Sequence, residues 1–513
     1  MSRRGIAAAL VLVWIVALAL LTKRELLRPE GERLAEAVLS LPPGASYFAV
    51  ELNGTQIGYA STTIDTLMDT LRVTELLVLE MPVLGTPQRT EARTEIELSR
   101  TLVLRRFTAA LRAEGVRFEA TGQVVGDSVL ELVLIGSESR ETRRIPLTEP
   151  IVLPQLIPLR VAFGGRLDVG RVFTVRVFDP IQLAGRDVAI EVVAESTLIV
   201  PRDTSAFDST AGRWLPILFD TVPAWHLRET SGRMPFDTWI DRDGQLLAAQ
   251  SAAGFRLVRS AYEVVYENFR LRDTLGATPS GADLVRTTAI ASSAALTPTA
   301  LRTLALRLSG QRLEGFDLDG GRQRLVGDTV YISRESRQAL QPNYRLPSAG
   351  PALRPFQEPE PLIQSDHPVL QAQARQIVEN THRPERAAAR LTQWVYENLR
   401  KEVTVGVPSA LDVYARRAGD CNEHTVLFTA LARAVGLPTR TVAGLVYLDG
   451  TFYYHAWPEV WLGDWVAVDP TFGQFPADAA HLRLAIGGLA RQLELVRLVG
   501  RLGVEVVATE PAS

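Results

Sequence analysis

Cys421 is the only cysteine in a chain of 513 residues, and it sits in Arg417-Ala-Gly-Asp-Cys-Asn-Glu-His424. A lone thiol has no intramolecular disulfide partner, which leaves chemistry or inert packing as its uses. His455 and Asp469 follow it 34 and 48 residues later. Thiol, imidazole and carboxylate together make a nucleophilic site: the thiolate attacks, the imidazole moves the proton, and the carboxylate fixes the imidazole tautomer. Cysteine is among the most buried residue types and is often plain core. The two partners, on what read as adjacent strands, favour catalysis.

Those three residues need elements to hold them. Asp420 reads as an N-cap, and Glu423 three positions on completes a capping box, so a helix should begin at Cys421. Val426, Leu427, Ala430, Leu431 and Ala434 form its apolar stripe, and Gly436 with Pro438 stops it. A thiol in a first helical turn faces unpaired amides and the positive end of the helix dipole, which favours the thiolate. The charge of Asp420 opposes that.

Strands are expected at 440–447, 452–461 and 465–469, with turns at Asp449-Gly450 and Gly463-Asp464. Hairpin geometry then sets His455 within a few positions of facing Asp469, and on its other side near Gly444, where a missing side chain leaves room for the cysteine helix. Upstream, Pro384 opens a helix in which Ala388, Leu391, Trp394, Val395 and Leu399 recur at helical spacing, with Trp394 as core.

The other histidines carry less. Cys421 and His424 have the spacing of two metal ligands, but no second pair completes a tetrahedral set, so no metal or cofactor is expected. His424 is read as a wall or capping residue of the site. His367 and His382 are expected to be solvated, His226 to be structural, and His481 has no identifiable partner. Tyr453, Tyr454, Trp457, Trp461 and Trp465 read mainly as strand packing.

The chain is 46% apolar and 22% charged, which suits about three globular domains, and its net charge of −3 offers no basic field for nucleic acid. Its only lysines are Lys23 and Lys401. Gly5 to Thr22 carries no charge and is flanked by Arg3-Arg4 and Lys23-Arg24. Eighteen helical residues rise about 27 Å, close to a hydrocarbon core. Residues 1–24 therefore read as a signal anchor or signal peptide, with the anchor preferred. The soluble body is then extracytoplasmic at the cell membrane, or secreted or periplasmic if the segment is cleaved.

The remainder is multidomain. Residues 45–270 read as an antiparallel all-β domain, with period-two runs such as Val116–Thr121, Phe173–Phe178 and Asp187–Val192 and hairpin turns at Asn53-Gly54 and Asp243-Gly244. A small β unit follows at 285–335. Seven prolines between Pro342 and Pro368 mark a stiff linker over 336–366. An α+β catalytic domain occupies 367–485, and a C-terminal tail 486–513.

The stretch Gly419-Asp-Cys-Asn-Glu-His424 resembles the transglutaminase-like superfamily, as do Ala430–Arg440, His455-Ala-Trp-Pro-Glu-Val460 and Val468-Asp-Pro-Thr471. The resemblance covers about residues 366–485. It implies a papain-like fold in which a cysteine helix packs on an antiparallel sheet carrying His and Asp. By position it makes Cys421 the nucleophile, His455 the general base and acid, and Asp469 the orienting carboxylate. Nothing resembles the calcium-binding loops of the animal enzymes. The implied activity is cleavage or exchange of amide bonds in peptide or protein substrates through a Cys thioester. Hydrolysis is favoured, and protein-glutamine transamidation is the alternative. A non-catalytic envelope scaffold with a relic fold is the rival from another class.

Overall fold

A computed structural model describes residues 41–511 apart from short internal stretches, the longest being 275–287. The anchor expected over residues 1–24 lies outside the described residues. Among those described, no helix is long and apolar enough to cross a membrane.

The expected β-rich region is one antiparallel sheet of fourteen strands. Gly44–Leu52 lies in its middle, paired with Thr55–Thr66 on one side and Phe255–Ser260 on the other. Strand Val129–Ile135 shows why alternation produces this: Leu130, Leu132 and Leu134 are buried, and the residues between them face outward. Residues from strands far apart in the sheet, Leu132 and Leu134 near one edge and Val175 and Val177 at the other, share one apolar core. The short helix Ile157–Phe163 contributes Leu159 and Val161 to that core. The sheet is therefore curled around its own contents. At the Asn53-Gly54 turn both residues have positive φ, 51° and 83°, as a type I′ turn requires. Asp243-Gly244 differs: only Gly244 has positive φ, and the Asp241 carboxylate holds the turn by accepting from the Asp243 and Gln245 amides.

The C-terminal half is the helix-and-strand domain. Helices Pro368–Val378, Pro384–Asn398, Ala410–Arg416 and Cys421–Ala434 share a buried core with the sheet through Leu370, Leu391, Leu427, Leu431 and Val460. Trp394, expected as core, is half-buried and packs against this core, and the Arg417 guanidinium lies over its ring, 4.6 Å from the centroid. The sheet order is Ile290–Ala291, Thr451–Trp461, Thr439–Leu448, His481–Ile486, with Trp465–Ala467 also paired to Thr451–Trp461. Thr439–Leu448 and Thr451–Trp461 meet across Asp449-Gly450, whose φ values of 44° and 88° again fit a type I′ turn.

Neighbouring segments are fastened to this sheet. Residues 503–511, within the stretch expected as a tail, form a strand paired with Leu301–Ser309. The proline-rich stretch does not stand off as a spacer. Leu346 and Ile363 enter the domain core, and the Tyr344 hydroxyl donates to the Trp461 carbonyl at 2.6 Å. Arg483, fully buried, pairs with buried Glu459 at 3.1 Å and donates to the carbonyls of Asp317, Asp319 and Gly320. One guanidinium thus ties the small β unit to the sheet.

Candidate active site

The cysteine helix begins as its cap residues dictate. The Asp420 carboxylate accepts from the Asn422 amide at 2.8 Å, and Glu423 accepts from the Asp420 amide at 2.9 Å. The other Glu423 oxygen accepts from the Thr404 hydroxyl at 2.6 Å. Cys421 is the first helical residue and is half-buried. The helix packs on strand Thr451–Trp461, and the Ala456 backbone N–H points at the Cys421 thiol. That contact brings the sulfur to the residue that follows His455.

The charge balance at Cys421 differs from the expectation built on the helix dipole. Burial raises the thiol well above its ordinary value, and the negative charges of Asp420, Glu423 and Asp469 add to the rise, while the Ala456 amide pulls it down. The resting sulfur is therefore a thiol, and forming the thiolate requires a proton acceptor beside it. Asp420 is itself pushed well up by burial and by Glu423 next to it.

His455 is that acceptor's candidate. It is buried, and its Nε2 lies 2.8 Å from Asp469 Oδ2. Because a carboxylate only accepts, Nε2 carries the proton, which leaves Nδ1 as the ring nitrogen with a lone pair in neutral His455. The ring is stacked on Phe472 at 5.0 Å and on Trp457 at 6.0 Å, so its plane is held. Asp469 is fully buried, just past the end of strand Trp465–Ala467. The sequence expectation brought His455 and Asp469 near each other through the hairpin, and the observed pairing of Glu459 with Ala467 does so. Its Oδ1 accepts from the Thr471 and Phe472 amides at 2.7 and 3.0 Å.

Gly444 faces His455 in the hairpin, as expected, but for a different reason. A Cβ there would come 1.9 Å from the Leu482 carbonyl oxygen on the opposite neighbour strand. The glycine makes room for strand His481–Ile486, whose pairing shifts register between Ala443 and Gly444, and not for the cysteine helix.

That strand carries a residue which the sequence reading left without a partner. His481 is fully buried; its Nε2 is 2.9 Å from Asp469 Oδ2, and its Nδ1 is 2.9 Å from Asp478 Oδ1. Burial alone would lower its pKa, but hydrogen bonds to the two carboxylates and their charges outweigh it and lift His481 to about 9. Burial would raise Asp469; the two imidazoles more than reverse that and hold it far below the usual carboxylate range. Asp478 is brought down to about 2 against its burial, by His481, Gln474 and the Ala480 amide. The signal was present in the sequence: His481-Leu-Arg-Leu alternates with period two, and Asp478 precedes His481 by three.

His424, read as a wall or capping residue, is fully buried with Nδ1 2.7 Å from the Asp420 carbonyl, and the helix start is capped by Asp420 and Glu423. Burial lowers its pKa. His367 is the N-cap of Pro368–Val378, accepting from the Val369 amide, and His382 is exposed with Nδ1 3.0 Å from the Leu346 carbonyl. His226, expected to be structural, pairs with Asp237 at 2.7 Å and stacks on Trp239, remote in sequence from Cys421.

His455, Asp469 and His481 place one ligand-type atom each within 4.8 Å of one another. They do not fit a metal ion. Both Nε2 atoms point at the same carboxylate oxygen and carry protons, so neither has a lone pair for a cation.

Residues 371–470 match the model of the transglutaminase-like superfamily. No curated protein matches the chain. Among solved structures it is similar to a crystal structure described as a "Putative Cysteine Protease" from Cytophaga hutchinsonii. That likeness has 18% identity and a TM-score of 0.27, and spans 41% of this chain and 87% of the other.

Proposed function

With residues 371–470 forming a transglutaminase-like core, we propose that the protein is a thiol enzyme that cleaves amide bonds of peptide or protein substrates through a thioester on Cys421. The observation that carries this reading is the hydrogen bond from His455 Nε2 to buried Asp469, which leaves the lone pair on His455 Nδ1, in the residue just before the one whose amide reaches the Cys421 thiol. A relic scaffold has no chemical use for a buried carboxylate that fixes one imidazole tautomer.

In the proposed reaction, His455 Nδ1 takes the Cys421 proton as the sulfur attacks the amide carbonyl. The Cys421 backbone N–H, free at the first helical position, donates to the oxyanion. The imidazolium, stabilised by Asp469, then protonates the leaving amine, and a thioester remains. Water attacks the thioester with His455 again as base, releasing the acid and free thiol. Hydrolysis is proposed over transamidation because water needs no second substrate-binding site, and a primary amine competes with it for the same thioester. On the charge-free run Gly5–Thr22, we further place the body outside the cytoplasm, held at the membrane; protease accessibility in intact cells tests that.

The test is to incubate the full chain with a glutamine- and amide-containing peptide library, with and without a primary amine. Release of ammonia or amine by the wild type, lost in Cys421→Ala, supports the enzyme. Mass addition of the amine to the peptide identifies transamidation. Equal product from wild type and Cys421→Ala refutes the mechanism.

A further inference from the structure

The reading of Cys421, His455 and Asp469 as the reacting set leaves two buried ionisable side chains without a role, His481 and Asp478. Both stand in the same hydrogen-bonded row: Asp478 Oδ1, His481, Asp469 Oδ2, His455. His481 has a carboxylate oxygen at 2.9 Å from each ring nitrogen. A neutral imidazole has one N–H and one lone pair, so one nitrogen would aim its lone pair at a carboxylate. The geometry is satisfied only when both nitrogens donate, that is, by an imidazolium.

This cation solves a problem peculiar to a buried orienting carboxylate. Asp469 has no exposure to water. While His455 is charged, Asp469 is balanced by it. When His455 is neutral, as a base must be before it takes the thiol proton, Asp469 would be a buried anion met only by uncharged donors, the His455 Nε2–H and the Thr471 and Phe472 amides. It would then tend to bind a proton or to hold one on His455. A second, permanent cation on the same oxygen removes both tendencies.

Resting on the reading of the site given above, we propose that His481 is a positioning residue: an imidazolium, held between Asp469 and Asp478, that keeps Asp469 ionised and aimed at His455 throughout the cycle. Asp478 holds the charge on His481, and Gln474 Nε2 and the Ala480 amide, each at 2.9 Å, hold Asp478. The charged or titratable groups facing His481 are Asp469, Asp478 and His455; the uncharged rings of Trp457 and Phe472 complete its walls. The effect on His455 has a definite sign. A cation whose ligand-type nitrogen lies within 4.8 Å of that of His455 disfavours a second cation there. It therefore disfavours the thiolate–imidazolium pair relative to the neutral thiol and imidazole. Removing the charge while keeping the donor should make Cys421 more nucleophilic towards a simple alkylating agent, the opposite of what damage to the fold produces.

The test uses the full chain with His481→Gln, which retains an N–H for Asp469 without a charge, and Asp478→Asn, which removes the partner that holds the charge. Iodoacetamide alkylation of Cys421 is followed from pH 5 to 10, alongside thermal unfolding of the same samples. In His481→Gln the rate at neutral pH should rise by roughly tenfold or more, as expected for loss of a nearby charge. Asp478→Asn should match the wild type at low pH and approach His481→Gln as the weakened imidazolium loses its proton. Unchanged profiles in both variants overturn the proposal, as do rates that fall in step with stability. In parallel, the ¹⁵N shifts of the imidazole nitrogens of His481 are read at pH 7.5. Two protonated nitrogens are expected, and one unprotonated nitrogen overturns the proposal whatever Cys421 does. Should Cys421 of the wild type fail to alkylate at any pH while His481 is doubly protonated, the enzyme reading fails and the charged row stands.

Discussion

A buried imidazolium makes stability depend on pH, and the structure gives both sign and size. His481 is raised from 6.5 to about 9 by Asp469 and Asp478. A group whose folded pKa lies above its unfolded value stabilises the fold fully below the unfolded pKa. The gain is lost as pH rises through the folded one. Two and a half units at about 1.4 kcal/mol each amount to about 3 kcal/mol, lost between roughly pH 6.5 and 9. His481 is fully buried, so solvent screening does not reduce the figure. Asp469 and Asp478 are both lowered; their contribution is present above an unfolded carboxylate pKa near 4 and is lost only on acidification, so it is constant over this window. The lowered pKa of His424 acts below 6.5. The measurement is urea unfolding of the full chain at pH 6.5 and 9.5, followed by tryptophan fluorescence, for wild type and His481→Gln. Trp457 packs edge-on against His481 at 5.2 Å and reports on this sheet. The wild type should lose about 3 kcal/mol more than the variant across the interval. Equal losses in the two proteins would falsify the charge assignment.

Three further perturbations separate the parts of the site. Asp469→Asn should lower amide turnover by about 10⁴-fold, because the amide N–H₂ can turn towards His455 Nε2 and reverse the tautomer; turnover within tenfold of wild type contradicts the orienting role. Asp420→Asn keeps an N-cap of similar strength while removing a charge that raises the thiol. Its thermal midpoint should be nearly unchanged and its Cys421 alkylation faster at neutral pH; a slower rate in a stable variant counts against the electrostatic account. Gly444→Ala forces a Cβ to within 1.9 Å of the Leu482 carbonyl. Strand separation should cost about 1–3 kcal/mol and depress activity, since the His455 and His481 strands flank it. A wild-type midpoint in calorimetry refutes the close approach.

The parts of the site that the sequence showed most clearly are those set by local rules. Asp420 and Glu423 announce the helix start by capping chemistry, and Asp449-Gly450 announces the hairpin by its demand for positive φ; both are present. The proximity of His455 and Asp469 followed from hairpin counting. What escaped was set by long-range pairing. Strand His481–Ile486 inserts beside Thr439–Leu448, on the far side from the hairpin partner, after a connection that no short-range rule dictates. His481 and the reason for Gly444 both depend on that insertion. The same holds for Gly503–Pro511, whose pairing with Leu301–Ser309 spans about two hundred residues of sequence. The preference for thiolate read from the helix dipole failed because burial and three nearby carboxylates outweigh one helix end. In the N-terminal sheet the alternation of Phe173–Phe178 was legible, whereas the curling that brings Leu134 and Val177 into one core was not.

The central claim is a covalent one: the substrate acyl group resides on Cys421 between amine release and hydrolysis. The direct measurement is intact-mass analysis of the full chain, mixed with a reactive peptide amide or ester and quenched in acid within seconds. The account predicts an adduct equal to the acyl group, mapped by proteolysis to the peptide containing Cys421, present in the wild type and absent in Cys421→Ala. Substrate turnover by the wild type with no adduct at any quench time, or with the adduct on another residue, contradicts it.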